Sequence, residues 1–221
     1  MRAVLLLLAP REVYAQVAAG VPARGMLVLG TALMSIALGV YVATDMGRSA
    51  IAIAASRALG GIGLGPGTWT HGQIQDMLVQ QPWGLAALPW VALPAFTAAV
   101  ARLLRRLGPP GRNGVPLPAQ TLMGVVAHAN LLLAIGVGFN VALGLTRGEP
   151  ALVRLPTLLL AWLPAVPAAV AGAVDPFVLW WVANLSTGLS VLYGVPARSA
   201  AARLTAVYLG GLVLWVLADA Q

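Results

Sequence analysis

The 221-residue chain contains no cysteine, no lysine, and only six acidic side chains. The lack of cysteine excludes disulfides, thiolate metal sites and sulfur nucleophiles. Charge of either sign is scarce: charged residues make up 9% of the chain and hydrophobic ones 60%, which excludes an ordinary soluble domain and defines an integral membrane protein. The net charge of +7 is carried by arginine alone. These arginines are scattered along helix ends, with no basic stripe interleaved with aromatics, so nucleic acid is excluded as a partner.

Signatures of catalysis are missing as well. There is no pair of carboxylates within an apolar run, no second histidine at ligand spacing to His128, and no nucleophile motif around Ser35 or Ser186. His71 stands near Gln73, Gln75 and Asp76, and a single histidine fixes no coordination geometry. Gly60, Gly61, Gly63, Gly65 and Gly67 follow no nucleotide-binding strand and read as a flexible loop. The expectation is a protein that is not an enzyme and holds no cofactor or metal.

What is present is a series of long apolar runs. A bilayer core takes about 20 helical residues to cross. Runs of that order cover 25–44, 83–104, 119–145, 177–194 and 200–218. A sixth candidate, 155–174, contains Pro156, Pro164 and Pro167. Arginine placement decides how it is read. With five spans and a cytoplasmic N-terminus, the inner segments hold Arg2, Arg11, Arg24, Arg102, Arg105, Arg106, Arg112, Arg198 and Arg203, while the outer ones hold Arg48, Arg57, Arg147 and Arg154. This follows the positive-inside rule, and a sixth span would put Arg198 and Arg203 outside. The segment 155–174 is therefore read as a proline-broken interfacial or re-entrant element on the outer face.

Near the start, Arg2 and Val4 to Leu8 look superficially like a leader, but the apolar run is short and Pro10-Arg11-Glu12 interrupts it. Val13, Tyr14, Val17 and Val21 then recur at helical spacing. An amphipathic helix over 3–21, lying on the inner membrane surface, is expected. The outer loop 45–82 is expected to hold a short helix or two. The inner loop carries Arg102, Arg105, Arg106 and Arg112, a topology determinant that also meets anionic headgroups. The fold class is thus all-α: a single polytopic membrane domain over 1–221, with five transmembrane helices, the amphipathic helix and the broken segment.

Polar groups inside the spans are the candidate site residues: His128, Asn130 and Asn140 in the third span and Asn184 in the fourth. Gly136, Asn140 and Gly144 share a helix face, a seam at which another helix can approach and bond the amide. Thr31, Ser35 and Gly39 form a similar small-residue face on the first span, suited to internal packing or to dimerisation. His128 suits packing or proton relay, and no carboxylate lies within a span to partner it. At the head of the fourth span, Asp175 is expected to cap free N–H groups and Pro176 to occupy the first helical position, with Phe177, Trp180 and Trp181 forming an aromatic belt.

The order of these pieces resembles bacterial members of the Yip1 family. The resemblance rests on the Pro10-Arg11-Glu12-Val13-Tyr14 start, the Val125-Val126-Ala127-His128-Ala129-Asn130 helix, and above all Asp175-Pro176-Phe177-Val178-Leu179-Trp180 followed by Gly188-Leu189-Ser190-Val191. It implies a five-span protein of the bacterial inner membrane with a cytoplasmic N-terminus and the C-terminus outside. The link of eukaryotic members to Rab GTPases runs largely through an extended N-terminal region and is not carried over. Two functions are compatible with the residues. One is a non-catalytic membrane scaffold or adaptor for partner proteins or lipids, acting with a protein partner or as a homo-oligomer in the lipid bilayer. The other is a small permease or channel component with a polar path near His128, Asn130 and Asn184.

Overall fold

The computed structural model describes residues 4, 6–7, 9–20, 22, 24–61, 71–107, 117–148 and 174–219, and among them there are helices and turns but no strand. The helices are α1 (Pro10–Ala18), α2 (Arg24–Val42), α3 (Asp45–Gly61), α4 (His71–Gln80), α5 (Pro82–Ala87), α6 (Pro89–Leu107), α7 (Ala119–Arg147), α8 (Pro176–Tyr193) and α9 (Ala197–Asp219). Among the described residues, three helical stretches are long and apolar enough to cross a membrane: Arg24–Val42, Trp83–Arg106 and Ala119–Arg147. Arg112 and residues 155–173, with the expected re-entrant element, lie outside the described residues, as does most of the glycine-rich loop.

Trp83–Arg106 joins α5 and α6 through Leu88. Pro89 has no N–H to continue the ladder, yet Leu88 keeps helical dihedrals (φ −53°, ψ −42°), so the axis carries on through the missing bond. The rod is 24 residues long, about 36 Å at ~1.5 Å per residue, enough to cross the hydrocarbon core with tilt. Arg105 and Arg106 close its last turn, where the negative end of the helix dipole favours cations.

The first long helix stops at Val42, two residues before the expected boundary, because the corner after it is chemically closed. The Thr44 hydroxyl donates to the Tyr41 carbonyl (2.7 Å) and accepts from the Gly47 N–H (3.0 Å). Arg48 Nη1 donates to the Val42 (2.9 Å) and Ala43 (3.2 Å) carbonyls, which have lost their helical partners, and its other arm pairs with Asp45. A Cβ at position 47 would overlap the Tyr41 carbonyl, so the corner requires glycine there.

The chain packs as two compact units. The first comprises Met1–Gly30, Ala95–Leu133 and Val153–Gln221, the second Thr31–Pro94 and Ala134–Leu152. In the second, α3 and α4 pair through a small apolar core of Ala52, Ile74 and Leu78, with Ile51, Ala55 and Leu85 against it. The segment 45–82, expected as a loop with a short helix or two, thus holds α3, of 17 residues, and α4, of 10. Gly39, on the small-residue face of α2, sits where a Cβ would touch Ala86 (3.6 Å) and Trp83 (3.9 Å), so that face packs internally at this point. Large apolar side chains such as Val28, Ile36, Val91 and Val207 remain exposed, as a lipid-facing surface requires.

Candidate functional site

The deepest polar groups of the first unit gather around the first half of α7. His128 is fully buried, and its Nδ1–H donates to the Gly124 carbonyl at 2.8 Å, one turn back on the same helix. That bond places the proton on Nδ1 and leaves Nε2 as the acceptor face of the ring. Tyr14 of α1 meets the imidazole edge-on, with ring centroids 6.3 Å apart and an interplanar angle of 68°. Tyr14 is itself fully buried, and its hydroxyl has no hydrogen-bond partner among the described residues. Burial pushes the phenol pKa well above its ordinary value, because the phenolate would lose its hydration.

Position 188 explains how Tyr14 enters. A Cβ on Gly188 of α8 would overlap Val125 Cγ1 and stand 3.2 Å from the Tyr14 ring, so only glycine leaves room for α1, α7 and α8 to meet. The apolar face of α1, formed by Val13, Tyr14 and Val17, is buried, whereas Arg11, Glu12 and Gln16 are exposed. α1 packs on α8. Here the structure departs from expectation: the helix is amphipathic, but its apolar side lies on protein rather than on lipid. Val4, Leu6 and Leu7 are helical as well, but the helix expected over 3–21 is interrupted at Ala9, which precedes proline and is held out of the helical region (φ −142°, ψ 62°), so that α1 proper runs from Pro10.

Asn130 is the hub of the second part. Its Nδ2 donates to Thr97 Oγ1 of α6 at 2.8 Å, and its Oδ1 accepts from Trp181 Nε1 of α8 at 2.8 Å. One amide therefore ties three helices, each bond worth roughly 0.6–1.7 kcal/mol in a membrane bundle. Phe96 stacks against Trp181 in a tilted pair, centroids 6.2 Å apart. Trp181 was expected in the aromatic belt with Phe177 and Trp180. Its N–H turns inward instead, since a bundle that buries an amide oxygen must supply a donor, while Trp180 is exposed and Phe177 half-buried.

The other candidates fall elsewhere. Asn184 is buried but bonds along its own helix, Nδ2 to the Trp180 carbonyl at 3.3 Å, and its Oδ1 has no partner among the described residues. Asn140 belongs to the second unit, half-buried. Asp175 caps α8 as expected, accepting from the Phe177 N–H at 2.7 Å, and its own N–H donates to the Tyr208 hydroxyl of α9 at 3.2 Å. Arg102, Arg105 and Arg106 are exposed along the end of α6. Thr97, Tyr14 and Gly188 were not among the candidate site residues, although Tyr14 and Gly188 stand in the stretches that carry the family resemblance. The apolar spacing of Tyr14 with Val13 and Val17 carried the one usable signal.

Beside this cluster a cleft of ≈ 670 Å³ opens between α1, α2, α6 and α7. Thr97 belongs to its lining and Arg24 is its charged residue. No family model matches the chain, nor does any curated protein or solved structure. Fold and site together define a helical membrane protein in which Asn130 bonds between helices while His128 and Asn184 bond along their own.

Proposed function

We propose that the chain is a non-catalytic membrane scaffold or adaptor of the Yip1-like kind, with five spans, its N-terminus in the cytoplasm of a bacterium and its partners proteins or lipids of the inner membrane. The observation that carries this reading is the Asn130 amide, whose two ends are engaged by Thr97 and Trp181. A group that handles substrate must offer a donor or acceptor to it, whereas these hold helices in register. The two further spans are α8, of 18 residues, and α9, of 23, on either side of the short turn at 194–196. At ~1.5 Å per residue α8 is about 27 Å long, close to the hydrocarbon thickness.

Cysteine accessibility tests the topology. With Ser199→Cys in the otherwise cysteine-free chain, an impermeant maleimide should label only after the membrane is opened; labelling of intact cells would sink the five-span reading. Partner capture from detergent-solubilised membranes, combined with a flux assay on reconstituted vesicles, tests the function. His128→Ala/Asn184→Ala should retain partner capture without altering flux.

One observation favours the permease reading: the cleft reaches Thr97, the residue bonded to Asn130. A solute flux that falls in the same double variant would replace the scaffold with that reading.

A further inference from the structure

The cleft between α1, α2, α6 and α7 has a polarity that runs along its helices. Arg24 stands in the first turn of α2 and Gln120 and Thr121 in the first turn of α7; one turn further on, the same helices offer Leu27 and Met123, and α1 adds Val17. Arg24 to Leu27 and Gln120 to Met123 are both three-residue steps, which lie on one helix face. Both helices thus present a polar residue at their start and an apolar one about 4.5 Å deeper. None of the described residues lining the cleft is acidic. Its volume of ≈ 670 Å³ falls within the range of about 300–1,000 Å³ typical of ligand clefts.

We infer that this cleft binds one anionic phospholipid, its phosphate at Arg24, Gln120 and Thr121 and the upper part of an acyl chain against Leu27, Met123 and Val17. Charge and polarity order are the reasons. A guanidinium recognises phosphate through paired N–H donors, and the change from polar to apolar lining within one helical turn matches the change from headgroup to chain. Free phosphate would satisfy Arg24 but leave the apolar wall uncovered. The inference rests on the membrane reading above for its orientation, in which the starts of α2 and α7 both lie at the inner leaflet.

Full-length protein in detergent, examined by native mass spectrometry during titration with dioleoylphosphatidylglycerol, dioleoylphosphatidylcholine or inorganic phosphate, tests the site. Phosphatidylglycerol should bind with one high-affinity equivalent, and Arg24→Gln should weaken it about tenfold or more. Arg105→Gln, the same charge change on an exposed helix end, should leave binding within about twofold. Met123→Trp, which fills the apolar wall and keeps Arg24, should also weaken it, and decides the matter if Arg24→Gln fails to fold.

Equal losses for Arg24→Gln and Arg105→Gln would overturn the site in favour of diffuse charge attraction. Equal affinity for both lipids, or binding of inorganic phosphate undiminished by Met123→Trp, would overturn the commitment to an anionic lipid. Labelling at Ser199→Cys that inverts the topology while Arg24-dependent binding persists would remove the leaflet assignment and leave the site standing.

Discussion

The corner of the second unit and the deep cluster of the first are built by hydrogen bonds of different reach. In the second, the contacts that close the corner after α2 are local: Thr44 reaches Tyr41, Gly47 reaches Thr44, and Arg48 reaches Val42, Ala43 and Asp45. These bonds shape one corner between α2 and α3, while the α3–α4 core is purely apolar. In the first unit the decisive bonds join residues far apart in the chain, Asn130 with Thr97, Trp181 with Asn130, and Asp175 with Tyr208. Local bonds set the direction of the chain at a turn. Distant bonds select which helices become neighbours, a choice that apolar packing alone makes poorly in lipid, where every helix face is greasy.

The sharpest way to break this contrast is at its two tight glycines. Gly47→Ala should destabilise the protein by about 3 kcal/mol or more, since the new Cβ meets a backbone carbonyl that cannot swing aside. Gly188→Ala should cost about 1–3 kcal/mol, because side chains of Val125 and Tyr14 can give way. Thermal melting in detergent ranks the two, and limited proteolysis separates them. Residues 10–18 should become cleavable in Gly188→Ala and stay protected in Gly47→Ala; equal protection in both would deny that Gly188 seats α1.

Asn130→Ala should follow at roughly 1–3 kcal/mol, as the Trp181 indole N–H loses its acceptor in a buried setting. Combined with Trp181→Phe the losses should fall short of additive by about 1 kcal/mol, and strict additivity would mean that the bond is not formed.

Alkaline pH probes the same unit through Tyr14. Its folded pKa is raised above the ordinary 10.0, so the unfolded chain loses its phenolic proton first. Stability is unaffected below about pH 10 and then declines as pH rises, by up to ~1.4 kcal/mol per pH unit until the folded phenol also ionises. Melts from pH 8 to 11 should show this decline in the wild type and a smaller one in Tyr14→Phe. At neutral pH that variant should match or slightly exceed the wild type, since it removes a buried hydroxyl that has no partner among the described residues. The smallest effect belongs to Arg48→Ala, about 1 kcal/mol or less, because its helix corner is partly solvated and keeps the Thr44 bonds.

The same contrast governs what can be read from the chain alone. Caps and helix ends obey rules that span a few residues, and so Asp175 with Pro176 was legible, as were three apolar helices and the amphipathic pattern of α1. The stop at Val42 was missed because an apolar run continues to Ala43; the hydrogen bonds of Thr44 and Arg48, not hydropathy, end the helix. His128 and Asn130 stood out because polar groups in apolar runs are costly. Their partners did not: Thr97 and Trp181 are ordinary in such helices, and nothing local announces that an indole 51 positions away will face inward. Gly188 was equally silent, since its role depends on a side chain from the other end of the chain.

That separation sets an order of events during synthesis. Tyr14 leaves the ribosome long before Gly188, and at ~5–20 residues per second the interval is on the order of ten to thirty seconds. Throughout it, Val13, Tyr14 and Val17 have no slot to enter, and the nascent amphipathic helix must shelter its apolar side against the bilayer or a chaperone. Only when α8 arrives can α1 leave that temporary host and dock. α1 is therefore made well before α8 yet docks only after it, a late step that fits Tyr14 between Val125 of α7 and Gly188 of α8.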